Sequence, residues 1–161
     1  MRHRLYKKLS FFCVTVLIAI AVLSPNTLAY GASDEGIVLD KSVAEVTDKN
    51  TVLTRGNFLS YGTVTLTRID LMKVRLVGDT AAHRVCDILG IDLFLQRSKD
   101  GVNYDSYREW SFSKKNDSFF WMGLEVIVPA GYWYRLAGGH VAVVGNEGES
   151  VTTLTDGIYV Y

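Results

Sequence analysis

The chain has 161 residues, with 17 basic and 17 acidic side chains. Four of the basic residues lie within the first eight positions, so 13 basic and 17 acidic residues remain in the rest of the chain. This acidic balance argues against non-specific nucleic-acid binding, which depends on basic patches. The length is sufficient for one domain with a hydrophobic core of its own.

Residues 1–29 have the pattern of a secretory signal. Basic residues at positions 2, 4, 7 and 8 precede an apolar run over residues 11–23. A helix needs about 20 residues to span the hydrocarbon layer, so this run is too short for a stable membrane anchor. Small residues at Thr27 and Ala29 fit a cleavage site. We therefore predict a signal helix that is cleaved near Ala29, or two residues later after Gly31, and a secreted, extracellular product.

Cys86 is the one cysteine that remains after this predicted cleavage. Exported proteins often contain disulfides, but a single cysteine cannot form one within its own chain. We predict that Cys86 packs as a small buried hydrophobic residue. A disulfide between two copies of the chain is the alternative.

Beyond the signal, the apolar residues mostly recur with a spacing of two, which is typical of strands. Residues 30–53 are polar and acid-rich, and we predict a loosely ordered leader there. Ile91, Leu93 and Leu95 share one face of a well-defined strand. The predicted strands cover residues 63–67, 74–77, 88–97, 104–112, 124–128, 132–144, 151–154 and 158–161. Seven or so short strands without a helical stretch predict that residues 54–161 form an all-β, antiparallel sandwich of the immunoglobulin and fibronectin III type.

The sequence VPAGYWYRL at residues 128–136 resembles a corner of fibronectin type III domains. In those domains a turn with Pro and Gly precedes a strand whose tyrosine bonds back to the corner backbone. The resemblance implies that Tyr134 is this corner tyrosine. It also implies that Leu136 points inward and that Arg135 points outward.

The C-terminal half also resembles a family of small secreted proteins from clostridia-like Firmicutes, a domain of unknown function. The resemblance lies in LFLQR at residues 93–97, GYWYR at 131–135, GES at 148–150 and TDGIYV at 155–160. It implies export and a compact β domain. It implies no activity and no known site.

The sequence contains no recognisable catalytic motif. His83, Cys86 and Asp87 form the best local cluster, but His83 and Cys86 would point to opposite faces of an extended segment. A nucleophile needs a base within hydrogen-bond reach, and no paired spacing of zinc ligands is present. We therefore predict no catalytic site, no cofactor and no metal, with a hydrolase of unrecognised site as an alternative. His140 is predicted to pack against the sheet.

Aromatic residues make surface recognition the predicted function. If Tyr134 faces the core, then Trp133 and Arg135 face outward, and both residue types are frequent at the centre of protein interfaces. An exposed tryptophan can equally stack on a sugar ring. Alternatively, Trp133 pairs with an aromatic residue of a neighbouring strand on the outer face. Phe119, Phe120 and Trp121 follow a polar stretch and would form an exposed apolar patch on a loop. Alternatively, they begin the next strand and are half-buried.

We therefore predict a secreted, non-catalytic binding module that is monomeric or weakly associating. Its partner would be an extracellular protein or a glycan of the cell envelope, and it would not be a nucleic acid. A row of coplanar exposed aromatic residues would favour a glycan. An irregular apolar patch with arginine would favour a protein.

Overall fold

Seven antiparallel β-strands make up most of the chain over residues 39–51 and 57–161, which the computed structural model describes. The strands are β1 (Glu45–Thr51), β2 (Leu59–Asp70), β3 (Lys73–Ser98), β4 (Asp105–Ile127), β5 (Tyr132–Val144), β6 (Glu147–Leu154) and β7 (Ile158–Val160). The predicted all-β, antiparallel sandwich is therefore confirmed. The predicted signal lies outside the described residues. Within these ranges, no helix has the length and apolar character needed to cross a membrane.

Strands β3 and β4 bend, and each contributes to both layers of the sandwich. The first part of β3, residues 73–82, pairs with β2 and with residues 119–127 of β4. The second part, residues 86–98, pairs with β5 and with residues 105–117 of β4. The first layer therefore has the order β1-β2-β3-β4. The second layer has the order β4-β3-β5-β6, with β7 beside the start of β5.

The sequence predicted separate short strands where the structure has these two long ones. In β3, exposed residues 83–85 interrupt the alternation of buried and exposed side chains, although the backbone remains extended. In β4, the polar residues 114–117 continue the strand, with Asn116 at a φ of 55°. Asparagine adopts this left-handed conformation more readily than most residues. Each polar interruption marks a bend in the strand, and the pattern alone does not distinguish a bend from a loop.

The hydrophobic core lies between the two layers and is built from alternate strand positions. Ile91, Leu93 and Leu95 are fully buried, as their spacing predicts. They pack with the buried residues Val64, Leu66, Val74, Leu76, Val126, Val128, Tyr134, Leu136, Ile158 and Val160. Full burial of one large aliphatic side chain stabilises a protein by about 1.5–3 kcal/mol. The core is therefore the main source of stability in a domain whose one described cysteine is unpaired.

Tyr134 is the corner tyrosine, as the fibronectin III resemblance implies. Its hydroxyl donates a hydrogen bond to the backbone carbonyl of Pro129 at 2.8 Å, and its ring is fully buried. Burial raises the pKa of Tyr134 to about 12. Leu136 is buried on the same face, while Arg135 is directed to the other face. This bond fixes the turn that leads from the end of β4 into β5.

His140 lies on β5 and bridges the two layers from inside the core. Its Nδ1 atom lies 2.9 Å from the Thr80 hydroxyl, and its Nε2 atom lies 3.0 Å from the Thr153 hydroxyl. The ring also packs directly on Gly62 of β2, where a Cβ atom would lie 2.1 Å from the His140 Cγ atom. The prediction that His140 packs against the sheet is therefore confirmed, and only glycine fits at position 62.

The N-terminal segment makes ordered contacts that the sequence did not indicate. Strand β1 pairs with β2 inside the region that we expected to be a loosely ordered leader. Just before it, the backbone carbonyl of Lys41 accepts hydrogen bonds from the Tyr161 hydroxyl at 2.9 Å and from Arg68 at 3.3 Å. The Lys41 ammonium lies 4.1 Å from the centre of the Tyr159 ring. These partners are far away in the sequence, so the acid-rich composition could not reveal them.

We expect Tyr134→Phe to lower the free energy of unfolding by about 1 kcal/mol or somewhat more, because the partly buried Pro129 carbonyl loses its donor. Urea unfolding of the variant and of the unchanged protein would measure the difference. Tyr132→Phe is the matched control, since Tyr132 is a half-buried ring on the same strand. Equal midpoints for Tyr134→Phe and the unchanged protein would refute the role of this bond.

We expect the fold to lose stability in acid because of His140. Burial lowers the pKa of His140 from 6.5 to about 4, although a hydrogen bond to the Asp79 backbone and the negative charges of Asp92 and Asp48 act in the opposite direction. Between these two values the unfolded chain binds a proton at His140 that the folded chain does not. The free energy of unfolding should therefore fall by up to about 3 kcal/mol as the pH drops from 6.5 to 4.

Urea midpoints measured across this pH range would test this expectation, with His140→Gln for comparison. Both proteins share the same carboxylates, so only their difference reports on His140. An NMR titration of the imidazole gives a second measurement if the variant does not fold, with exposed His83 as the reference signal. A His140 ring that titrates near 6.5 in the folded protein would contradict the prediction.

Candidate ligand-binding surface

Trp133 lies on the outward side of β5, but it is only 3% exposed. The Tyr159 ring of β7 packs against it edge-to-face, with ring centres 5.3 Å apart. Gly101, in the turn between β3 and β4, covers the indole, and Leu39 lies on Gly101. The prediction that Trp133 is an exposed outward residue is therefore wrong. The alternative of a cross-strand aromatic pair is correct, and two segments distant in sequence complete the cover.

Arg135 points outward as predicted, but its guanidinium group already has partners within the chain. Its Nε atom donates to the Gln96 side-chain oxygen at 2.6 Å. The guanidinium carbon lies 4.1 Å from the centre of the Tyr104 ring, a cation–π contact. Arg135 is consequently half-buried and forms part of a wall.

A pocket of about 560 Å³ opens beside Trp133 and Arg135. Its apolar wall includes Leu39 and Leu154, and the carboxylates of Asp40 and Asp156 also line it. A hydrogen bond from Ser42 lowers the pKa of Asp40, so this group is charged at neutral pH. The pocket therefore combines an apolar wall with both signs of charge. Its aromatic residues lie in the wall and do not form a projecting platform.

Phe119, Phe120 and Trp121 lie within β4 and alternate between its two faces. Phe120 is directed inward and packs against both core clusters. Phe119 and Trp121 are directed outward, with 46% and 59% of their surface exposed. The expectation of a loop is therefore wrong, because residues 114–118 continue the strand. Phe120 is half-buried in the strand, as the alternative predicted, whereas Phe119 and Trp121 are exposed.

Trp121 projects from the outer face of the first layer and rests on the sheet. Its benzo ring lies against Gly123, where a Cβ atom would be 3.2 Å from Cζ2 and 3.3 Å from Cη2. The same position is 3.7 Å from a methyl group of Val77 on the neighbouring strand. Because Gly123 has no side chain, the indole can lie low over the strand. Its remaining surface faces solvent.

Polar side chains surround this aromatic pair on the outer face of the first layer. The register places Asp79 opposite Trp121 and Thr63 opposite Asp79, so the three form one row across the layer. In the next rows, the Thr47 and Thr65 hydroxyls lie 2.8 Å apart. Further along, Arg75 bonds to Glu125 at 2.8 Å, and Lys73 also pairs with Glu125. The face therefore presents hydroxyls and carboxylates beside two exposed rings.

Sequence reasoning missed this setting of Trp121. The alternation of Thr63, Thr65 and Thr67 indicated one polar face of β2. It could not show that β3 brings that face into line with Trp121 on β4. The pairing joins positions about 60 residues apart in the chain.

The His83, Cys86 and Asp87 cluster does not form a catalytic arrangement. His83 is exposed, whereas Cys86 is buried among Phe58, Leu59 and Leu89. Burial raises the pKa of the Cys86 thiol, which disfavours the nucleophilic thiolate. The Asp87 carboxylate accepts a hydrogen bond from the Gly145 backbone at 2.6 Å. Cys86 is thus a buried small residue, as predicted, and it lies apart from the exposed imidazole.

Across residues 39–51 and 57–161, no group of three or more His, Cys, Asp or Glu side chains could hold a metal ion. Comparisons of the chain with protein-family models, curated proteins and solved structures found no match. The resemblance to a Firmicutes family of unknown function therefore stays a prediction. The function proposed below therefore rests on the geometry of this chain.

We expect Trp133→Ala to lower the free energy of unfolding by about 3–5 kcal/mol, because the change removes a large buried aromatic ring. Denaturant unfolding followed by far-UV circular dichroism would measure the loss. Trp121→Ala is the matched control, since exposed positions usually change stability by less than about 0.5 kcal/mol. Equal stability of the two variants would contradict the burial of Trp133.

Proposed function

We propose that this protein is a secreted, non-catalytic binding module that recognises a glycan of the cell envelope. Its site would be the outer face of the first layer, at Phe119 and Trp121. The observation that carries the proposal is the exposed indole of Trp121, which rests on Gly123. Trp121 itself lies in one row with polar side chains of the neighbouring strands. The predicted export signal supports a target outside the cytoplasm.

The aromatic pair has the chemistry that a sugar ring requires. The faces of aromatic rings carry partial negative charge, and the C–H groups on one face of a sugar carry partial positive charge. A sugar that stacks on Trp121 would also remove apolar surface of both partners from water. Residues two positions apart on one face of a strand lie about 6.5 Å apart. Phe119 is therefore close enough to contact the same saccharide chain.

The polar neighbours provide the second requirement, which is hydrogen bonding to sugar hydroxyls. Threonine hydroxyls both donate and accept, and carboxylates accept. Thr63 and Asp79 lie in the row of Trp121, and Thr65 lies in the adjacent row. Arg75 lies in this face as well and is paired with Glu125 at 2.8 Å. This composition favours a glycan as the ligand of this face.

A protein partner is the second candidate, and a different part of the same layer supports it. Leu71, Met72 and Ile127 are exposed large apolar residues. They lie at the turn between β2 and β3 and at the end of β4. Exposed apolar patches of this kind mark protein interaction sites. A partner bound there would not require Trp121.

Retention on insoluble peptidoglycan and on wall polysaccharide would test the proposed function. We expect the purified protein to bind one of these fractions. The double variant Phe119→Ala, Trp121→Ala should weaken binding at least about tenfold, equivalent to about 1.4 kcal/mol. Val102→Ala is the matched control, because Val102 is exposed in the turn between β3 and β4, away from this face. Glycan binding that the double variant retains would refute the site, and failure to bind either fraction would refute the glycan.

A further inference from the structure

The second part of β4 is an open edge of the first layer. Residues 119–127 pair with β3 on one side. In the described part of the chain, no strand pairs with residues 120–127 on the other side. In an antiparallel strand, about half of the backbone N–H and C=O groups point to each side. This edge therefore presents unpaired hydrogen-bonding groups over eight residues.

The other edges of the sandwich are covered by contacts within the chain. At the β1 and β6 edges, the Asp48 carboxylate of β1 accepts a hydrogen bond from the Leu154 backbone of β6 at 2.8 Å. The Glu149 carboxylate of β6 accepts backbone hydrogen bonds from Asn57 at 2.6 Å, Phe58 at 3.2 Å and Leu59 at 2.7 Å. At β7, the Arg68 guanidinium donates to the Tyr159 carbonyl. These contacts occupy part of each of these edges, whereas no described segment pairs with residues 120–127 of β4 on their outer side.

Charged residues are frequent in the first part of β4, whereas the second part carries only Glu125. The charged residues of the first part are Asp105, Arg108, Glu109, Lys114, Lys115 and Asp117. The Lys114 ammonium and the backbone N–H groups of Ser118 and Phe119 lower the pKa of Asp117 to about 2, so this carboxylate stays charged and caps two donors. Residues 118–124, with the sequence SFFWMGL, carry no charge. Natural edge strands usually carry charges that prevent pairing with another chain.

The core is also incompletely covered at this edge. Phe120, Met122 and Leu124 point inward and pack against the core, but each is only partly buried. Their neighbours on β3, among them Thr80 and Leu76, are fully buried. The difference arises because β3 has a strand on each side, whereas β4 has one on a single side. A further strand beside β4 would cover the exposed part of these three side chains.

We propose that residues 120–124 of β4 pair with the same residues of a second copy of this chain. The two strands would run antiparallel about a two-fold axis through Met122 and join the two first layers into one sheet. Such a contact is isologous, which is the usual symmetry of a dimer. Since the axis is perpendicular to the sheet, inward residues of one copy meet inward residues of the other.

The side chains of β4 are complementary to themselves in this register. Phe120 lies opposite the partner's Leu124, and Trp121 lies opposite the partner's Gly123, so the two indoles, each resting on the Gly123 of its own copy, lie next to each other. No two charged residues of like sign face each other. A shift of two residues would place Asp117 opposite the partner's Glu125 and bring two carboxylates together. A shift of two residues in the other direction would place the Trp121 ring opposite the partner's Glu125 carboxylate. Charge excludes the first shift, and the apolar pairing of Phe120 with Leu124 and of Trp121 with Gly123 favours the register centred on Met122 over the second.

The pairing goes beyond the proposed glycan binding and does not depend on it. The joined sheet would carry Phe119 and Trp121 from both copies on one outer face. Two linked sites bind a repeating ligand more tightly than one site does, because the second contact forms within an existing complex. The dimer would thus present a bivalent aromatic surface.

Sedimentation equilibrium of the purified protein across the micromolar range tests the dimer without any glycan. The compact unit Ile37–Tyr161 contains all seven strands, so the protein without its predicted signal is suitable. We expect a reversible dimer whose Kd rises at least tenfold in Trp121→Lys, which brings two like charges close together. Val102→Lys adds the same charge at an exposed position in the turn between β3 and β4, away from residues 120–127, and should leave the Kd unchanged. A protein that remains monomeric over this range overturns the proposal.

A cysteine cross-link tests the register independently of the strength of association. Directly opposed residues of antiparallel strands have Cα atoms about 4.5–5.5 Å apart, which suits a disulfide. In a Cys86→Ser background, we expect Met122→Cys to form a covalent dimer on mild oxidation. Ile127→Cys, at the end of the same strand, should not. Cross-linking through Ile127→Cys alone, or a protein that stays monomeric but binds an extended apolar peptide along β4, would overturn pairing of two copies.

Discussion

The backbone pairing of β3 is the constraint on which the rest of this structure depends. This one strand pairs with β2 and β4 in the first layer and with β4 and β5 in the second. Because β3 bends at residues 83–85, its long hairpin with β4 belongs to both facing layers. No separate connection between the layers is needed at this hairpin. The fully buried Leu76 lies in the first-layer part of β3, and the fully buried Ile91 and Leu93 lie in its second-layer part. One strand therefore supplies core side chains to both layers. Burial of these residues and the continuous ladder of β3 therefore reinforce each other.

Polar contacts inside the sandwich fix how the two layers face each other. Tyr134 holds the turn before β5, and His140 connects Thr80 of the first layer with Thr153 of the second. No buried side-chain nitrogen or oxygen atom of the described residues lacks a hydrogen-bond partner. Buried polar groups are costly when unpaired, so a fully paired set restricts the layers to one arrangement. A neutral histidine is essential to this set, because a charged one would lose its solvation in the core.

The same arrangement underlies our proposal of surface recognition. The bend that unites the layers leaves His83 exposed and Cys86 buried, so the one reactive cluster in the sequence is separated. It also leaves β4 at an edge, with Phe119 and Trp121 on its outer face and half-covered apolar residues on its inner face. Stable domains normally bury or charge such a strand. Packing of the core accounts for the inward residues of this strand, but it does not account for the exposed aromatic residues on its outer face.

The local spacing of residues was enough to predict strands, their buried faces and one corner of the fold. The period of two predicted the buried face of Ile91, Leu93 and Leu95, and the resemblance of residues 128–136 to a fibronectin III corner implied the inward Leu136 and the bond of Tyr134. Only the tertiary structure decided which outward residues remain exposed. Trp133 and Trp121 both face away from the core, but Tyr159, Gly101 and Leu39 cover the first, while nothing in the described chain covers the second. Exposure depends on which distant segments pack on a face, and a period of two residues carries no information about those segments.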